Sequence, residues 1–62
     1  QWLYAVEIKA VRSPSPKDLT NLKEFINQSN KKVKGFLFYL GEEYQEIEGI
    51  KLIPIYSLFC GR

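Results

Sequence analysis

The sequence predicts an α+β (α/β-like) domain, with a mixed sheet of about four strands and one main helix in the order β-α-β-β-β. Three observations favour it: an alternating apolar segment comes first, an amphipathic segment with helix start and stop signals follows, and short apolar runs separated by glycines complete the chain. A strand, a helix and a buried strand in succession are typical of a βαβ unit with parallel strands. We expect the remaining strands to be antiparallel.

The composition excludes several classes of protein. The 62 residues are enough for one small domain, and 45% hydrophobic with 26% charged residues is a globular balance. A chain with no histidine and one cysteine has no histidine-based triad or zinc site and no internal disulfide. A net charge of +2 does not by itself indicate a nucleic-acid or membrane partner. Because the first residue is Gln1 and no signal peptide or membrane span follows, we expect a piece of a longer cytoplasmic protein.

Residues 2–11 are predicted to form the first strand. Because side chains alternate between the faces of a strand, one face is apolar throughout and consists of Trp2, Tyr4, Val6, Ile8 and Ala10. We expect that face, including Ile8, to point into the core. The opposite face carries Glu7 and Lys9.

The helix is predicted over residues 16–29. Ser15 suits the N-cap, Pro16 suits the first helical position, and Asp18 stands where the acid of a capping box stands. Apolar residues then recur at helical spacing. They are Leu19, Leu22, Phe25 and Ile26. Asn30 is expected to end the helix in a left-handed conformation.

Residues 33–40 are apolar on both faces, which predicts a strand covered on both sides. Residues 41–43 are expected to form a hairpin turn into a short strand over residues 44–47, and Gly49 a second turn. The last strand is predicted over residues 50–55, where Pro54 indicates an edge or an end. Residues 56–60 are expected to form a final helical turn or a frayed tail.

Glu7-Ile8-Lys9 is the most suggestive motif for chemistry. The carboxylate of Glu7 and the carbonyl of Ile8 are oxygen ligands that suit Mg²⁺, and Lys9 can orient a water or stabilise charge on a phosphate. These are the parts of a metal-dependent phosphodiester-hydrolysing site. The alternative is an ordinary solvated face with a weak ion pair between Glu7 and Lys9.

Five segments carry a more specific pattern over roughly residues 5–56. They are Ala5-Val6-Glu7-Ile8-Lys9, Ser13-Pro14-Ser15-Pro16-Lys17-Asp18-Leu19, Leu22-Lys23-Glu24-Phe25, Gly35-Phe36-Leu37-Phe38-Tyr39-Leu40-Gly41-Glu42 and Ile53-Pro54-Ile55. With them the chain resembles the C-terminal domain of unknown function carried by a large family of prokaryotic AAA+ ATPases. The order of elements around Glu7-Ile8-Lys9 resembles the second half of the PD-(D/E)xK nuclease-like core.

The resemblance implies that residues 1–62 are a partial, C-terminal, restriction-endonuclease-like half domain of a larger ATP-binding protein. Glu7 and Lys9 are then the catalytic residues, Glu7 is a ligand for Mg²⁺ in the full-length protein, and the upstream ATPase domain is a partner. The nuclease pattern also needs an acid on the preceding strand, and residues 1–5 contain none. We therefore expect the isolated chain neither to bind Mg²⁺ tightly nor to cut DNA.

A second function class is a non-catalytic interaction or regulatory module that binds DNA or a partner protein. Arg12, Lys17 and Lys34, with Lys9, are the candidates for weak DNA contact. Lys34-Gly35-Phe36-Leu37-Phe38 resembles the aromatic run of RNA-recognition strands, although core packing is the favoured interpretation of its aromatic residues. Cys60 is interpreted as an incidental thiol, and a strand that is apolar on both faces suggests a homodimer.

Overall fold

The computed structural model describes residues 2–57, which form one four-stranded sheet with one α-helix. In chain order the elements are β1 (Trp2–Ile8), a 3₁₀ turn (Pro16–Leu19) that leads into α1 (Thr20–Gln28), β2 (Lys32–Tyr39), β3 (Gln45–Ile47) and β4 (Ile50–Pro54). The predicted α+β class, the mixed sheet and the element order are confirmed. The predictions for residues 58–60, including Cys60, lie outside the described residues.

The strands lie in the order β1-β2-β4-β3. β1 and β2 are parallel, as predicted, and Ala5 pairs with Gly35 in their register. The prediction that the other pairs are antiparallel is right for β3 and β4 but wrong for β2 and β4, which are parallel. The chain crosses from β2 to the far edge of the sheet, forms β3 there and returns as β4 between its two neighbours.

Two local features explain this path. Glu48 (φ 51°) and Gly49 (φ 85°) form a two-residue turn with positive φ at both positions, the geometry that closes tight hairpins, so the hairpin joins β3 to β4. The hairpin predicted at residues 41–43 is wrong. There the chain folds over the ring of Tyr39, whose hydroxyl donates a hydrogen bond to the carbonyl of Glu43. A Cβ on Gly41 would lie 2.1 Å from that ring.

The final strand ends at Pro54 as predicted, but it is not an edge strand, because β4 lies between β2 and β3. Pro54 pairs with Tyr39 at the end of the parallel ladder. The next residue restores the hydrogen bond, since the Ile55 N–H donates to the Tyr39 carbonyl over 2.7 Å. A proline that cannot donate is therefore accepted at the last position of an interior strand.

The helix begins where the sequence predicts. The Asp18 carboxylate accepts a hydrogen bond from the Ser15 N–H at 2.9 Å, and Pro16 opens the 3₁₀ turn. The predicted end is wrong in its mechanism. Ser29 leaves the helix directly in an extended conformation (φ −77°, ψ 140°), so Asn30 is not a left-handed stop.

The core lies on one face of the sheet only. Its fully or almost fully buried residues are Leu19, Leu22, Leu37, Tyr39, Ile50 and Leu52. We call the sheet surface under α1 the helix face. The helix approaches it closely at Gly35, where a Cβ would lie 2.9 Å from Cδ1 of Ile26.

The other surface of the sheet, which we call the open face, carries alternate residues of the same strands. By the strand register these are Trp2, Tyr4, Val6, Ile8, Lys32, Lys34, Phe36, Phe38, Lys51, Ile53 and Glu46. The prediction that the apolar face of β1 points into the core is wrong, because Ile8 is 60% exposed. Alternation predicts that the two faces differ. Which face takes the helix is decided by β2, whose small Gly35 lets α1 approach.

Candidate functional site

Glu7 and Lys9 lie at the carboxyl end of β1. Glu7 pairs with Leu37, and the Lys9 N–H donates to the Phe38 carbonyl over 2.9 Å, so the parallel pairing continues one residue beyond the strand. Because the two residues are separated by one position of an extended chain, their side chains share a face. That face is the helix face, and both residues are half-buried. The acid and the amine therefore project from the same side of the strand.

Glu7 lines a groove of about 390 Å³ between α1 and the outer edge of β1. The walls on the helix side are Asn21, Leu22 and Phe25, and the strand contributes Leu3 and Ala5 beside Glu7. Among the described residues that line the groove, Glu7 is the only one with a carboxylate or a basic side chain. Because the rest of the lining is largely apolar, a cation or hydrogen-bond donor that enters the groove finds its charged partner in the Glu7 carboxylate.

The outer edge of β1 adds a second oxygen atom. Backbone groups of successive residues in a strand point to opposite edges. Since the Lys9 N–H points to β2, the Ile8 carbonyl points to the outer edge, with which no strand of residues 2–57 pairs. The carboxylate of Glu7 and the carbonyl of Ile8 thus belong to one free edge. Neighbouring residues at this end of β1 therefore offer a carboxylate and a carbonyl as oxygen ligands.

This donor set is incomplete. Residues 2–57 contain no cluster of three or more acidic, histidine or cysteine side chains able to hold a metal ion. Mg²⁺ is normally bound by one or two carboxylates with waters and substrate phosphates. Glu7 and Ile8 therefore offer two oxygen ligands, and the remaining ligands of such a site would be waters, substrate phosphates or an acid outside residues 2–57.

The alternative interpretation, an ion pair between Glu7 and Lys9, is not supported by any contact among residues 2–57. Within residues 2–57 the one salt bridge joins Lys23 of α1 to Glu48 in the β3–β4 turn. This salt bridge connects α1 to the end of the sheet at which the β3–β4 turn lies. Glu7 and Lys9 share a face without a salt bridge between them, so each charge stays available to a ligand.

The basic residues proposed for DNA contact fall into two places. Arg12 and Lys17 are exposed in the connection that leaves the carboxyl end of β1, the same end as Glu7. Lys34 lies near the amino end of β2 on the open face, where its ammonium is 4.9 Å from the ring centroid of Trp2. The structure brings Arg12 and Lys17 toward the Glu7 end of the sheet and leaves Lys34 apart from them.

The aromatic residues of the Lys34–Phe38 run are not core. Phe36 and Phe38 lie on the open face, away from α1, and only Leu37 between them is fully buried. The favoured core interpretation is therefore wrong for both phenylalanines. Sequence reasoning also missed the open face as a whole. The sequence did indicate this face, because a sheet that is apolar on both faces, in a chain with one predicted helix, has one face that no helix covers.

A protein-family model matches most of this chain. No curated protein and no solved structure matches the chain. Among the described residues no helix has the length and apolar character needed to cross a membrane. The model of a domain of unknown function (DUF4143) matches residues 1–58. The chain therefore belongs to the DUF4143 family.

Proposed function

We propose that this chain is the C-terminal, nuclease-like domain of a cytoplasmic AAA+ ATP-binding protein, and that Glu7 and Lys9 contribute to a divalent-metal site that processes DNA. The observation that carries the proposal is the arrangement at the free edge of β1. There the Glu7 carboxylate and the Ile8 carbonyl provide adjacent oxygen atoms, and Lys9 projects from the same face.

The chemistry of these groups suits phosphodiester hydrolysis. Hard cations such as Mg²⁺ prefer carboxylate and carbonyl oxygens, which Glu7 and Ile8 supply. When bound, the metal ion lowers the pKa of a coordinated water and stabilises charge on a phosphate oxygen. The ammonium of Lys9 holds a fixed positive charge next to that position, and Arg12 and Lys17 add positive charge at the same end of the sheet.

The isolated chain lacks one requirement of such a site. A strand that pairs with the outer edge of β1 would bring its side chains next to Glu7, and an acid there would supply the second carboxylate. Residues 2–57 provide neither. We therefore expect the 62-residue chain to bind Mg²⁺ weakly and to leave DNA intact.

The test compares the 62-residue chain with the longer protein that carries it. With Mg²⁺ or Mn²⁺ we expect the longer protein to nick supercoiled plasmid and Glu7→Gln to lower the rate at least ~100-fold. Lys9→Gln is expected to act in the same direction. Glu24→Gln removes an exposed carboxylate on α1 and serves as the matched control. Metal-dependent nicking that is unchanged in Glu7→Gln refutes the proposal. Nicking by the isolated chain that Glu7→Gln abolishes would instead refute the expectation that the site needs a second acid from elsewhere.

A non-catalytic interaction module is the second candidate. It is favoured by one observation, the large apolar open face on the side of the sheet opposite Glu7. An interaction module needs no metal, so Glu7→Gln would leave its binding unchanged. The two candidates are therefore separated by the same pair of variants, with plasmid nicking as one measurement and partner binding as the other.

A further inference from the structure

The open face carries a contiguous exposed apolar patch. On β1 alone, Trp2, Tyr4, Val6 and Ile8 are 50%, 65%, 56% and 60% exposed. For side chains of these sizes this amounts to roughly 400 Å², which is in the range of the largest apolar patch on a typical monomer. Patches of that size mark interaction sites.

The charge on this face is polarised. Lys32, Lys34 and Lys51 lie toward the amino ends of the parallel strands, and Glu46 is the one acid that the register places among them. The other end is apolar, where Phe38 pairs with both Ile8 and Ile53. A shallow groove of about 350 Å³ joins the two ends. It is lined by Tyr4, Val6, Lys34, Phe36, Phe38 and Ile53.

From this pattern we infer that the open face docks an amphipathic α-helix of a partner protein, apolar along one side and acidic at one end. Sheets with parallel strands are normally covered by helices on both faces, and here β1, β2 and β4 are mutually parallel with α1 on one face. β1 has seven residues and spans about 23 Å, which a helix of about 15 residues matches.

Charge complementarity selects this occupant over a second copy of the chain. Two open faces in one orientation would place lysines against lysines, and in the opposite orientation they would bury lysines against the apolar end. An acidic helix end instead meets Lys32, Lys34 and Lys51 with opposite charge. Single-stranded nucleic acid would also meet the lysines and could stack on Trp2 or Tyr4, but the aliphatic Val6, Ile8 and Ile53 at the far end of the face favour the apolar side of a helix, and an oligonucleotide is therefore included in the test.

The fluorescence of Trp2 provides an intrinsic probe for this contact. Trp2 is the only tryptophan in the sequence and lies at the lysine end of the open face, with the ammonium of Lys32 at 5.6 Å and that of Lys34 at 4.9 Å from its ring centroid. A helix that covers the face removes water from the Trp2 ring. Its fluorescence emission then shifts to shorter wavelength and becomes less accessible to acrylamide.

The probe is a designed 15-residue amphipathic peptide without tryptophan, with an apolar stripe and glutamates at one end. Titrated into the 62-residue chain, it is expected to shift the Trp2 emission in a saturable way. Replacing its glutamates by lysines is expected to weaken binding at least ~10-fold, as is Val6→Glu in the chain. Ile8→Glu is the second variant on the face. Gln28→Glu adds the same charge at an exposed position on α1 and is expected to change nothing.

Three outcomes would overturn the inference. The first is no emission change with the acidic peptide when circular dichroism shows a folded chain. The second is an equal response to the lysine peptide, or a stronger response to a dT₁₅ oligonucleotide. The third is a dimer in sedimentation experiments that Val6→Glu dissociates, which would assign the face to a second copy. The inference names a partner class for the interaction module, and since the open face lies opposite Glu7, neither result depends on the proposed metal site or on plasmid nicking.

Discussion

The helix face and the open face are built from alternate residues of the same strands, yet they have different physical roles. On β2, Leu37 is fully buried under α1, while its neighbours Phe36 and Phe38 point to the other side and stay partly accessible. The helix face holds the whole buried core together. The comparison teaches that in so small a domain the buried contacts can be concentrated on one side of a sheet while the other side keeps exposed apolar surface.

The strongest way to break this comparison is to remove one side chain from each face of β2. Leu37→Ala is expected to lower the free energy of unfolding by about 3 kcal/mol, because it empties a fully buried position below α1. Phe38→Ala is expected to cost only about 1 kcal/mol, although it removes more atoms, because Phe38 is partly accessible on the open face and lies outside the buried core. Urea unfolding followed by circular dichroism measures both values.

Equal losses in the two variants would show that the open face contributes as much to stability as the helix face. If Leu37→Ala abolishes the cooperative transition altogether, Leu37→Val provides a smaller step at the same position, for which we still expect a loss larger than that of Phe38→Ala. The contributions of the two faces to the free energy of unfolding can then be ranked even if Leu37→Ala does not fold.

A second variant weakens the cover of the helix face without touching the sheet. The carboxylate of Asp18 accepts the Ser15 N–H and lies in the first turn of the helical segment, where a negative charge is favourable. Asp18→Ala is expected to lower the free energy of unfolding by about 1 kcal/mol. Thermal unfolding by circular dichroism measures it. Glu24→Ala, in the middle of α1, is the matched control, and a loss of the same size there would contradict the capping role of Asp18.

Local signals in the sequence were sufficient for much of the fold. Ser15, Pro16 and Asp18 specify the helix start by contacts within four residues, and period-two alternation located the strands. The parallel pairing of β1 and β2 followed from the helix between them. Each of these rests on chemistry that neighbouring residues carry themselves.

Tertiary contacts decided the rest. The turn at Gly49 was predicted, but the place of β4 between β2 and β3 also depends on the packing of residues 41–43 over Tyr39, which a strand pattern does not contain. The side on which Ile8 lies was predicted wrongly, because alternation separates the two faces of β1 but does not say which of them α1 covers. The candidate site was better defined: the shared face of Glu7 and Lys9 follows from their spacing. The free edge beside them is a property of the whole sheet.

The smallest expected effect on the free energy of unfolding concerns Ile8, on the open face. Ile8→Ser is expected to change the free energy of unfolding by no more than ~0.5 kcal/mol, since Ile8 is 60% exposed and its loss leaves no cavity. The same change removes apolar surface from the end of the face where Phe38 and Ile53 lie, so we expect binding of the dye 8-anilinonaphthalene-1-sulfonate to fall. Fluorescence titration measures the dye, and Ile8→Leu, which keeps the apolar surface, is the control. A large stability loss with unchanged dye binding would mean that Ile8 serves the core, and the division between the two faces would no longer hold.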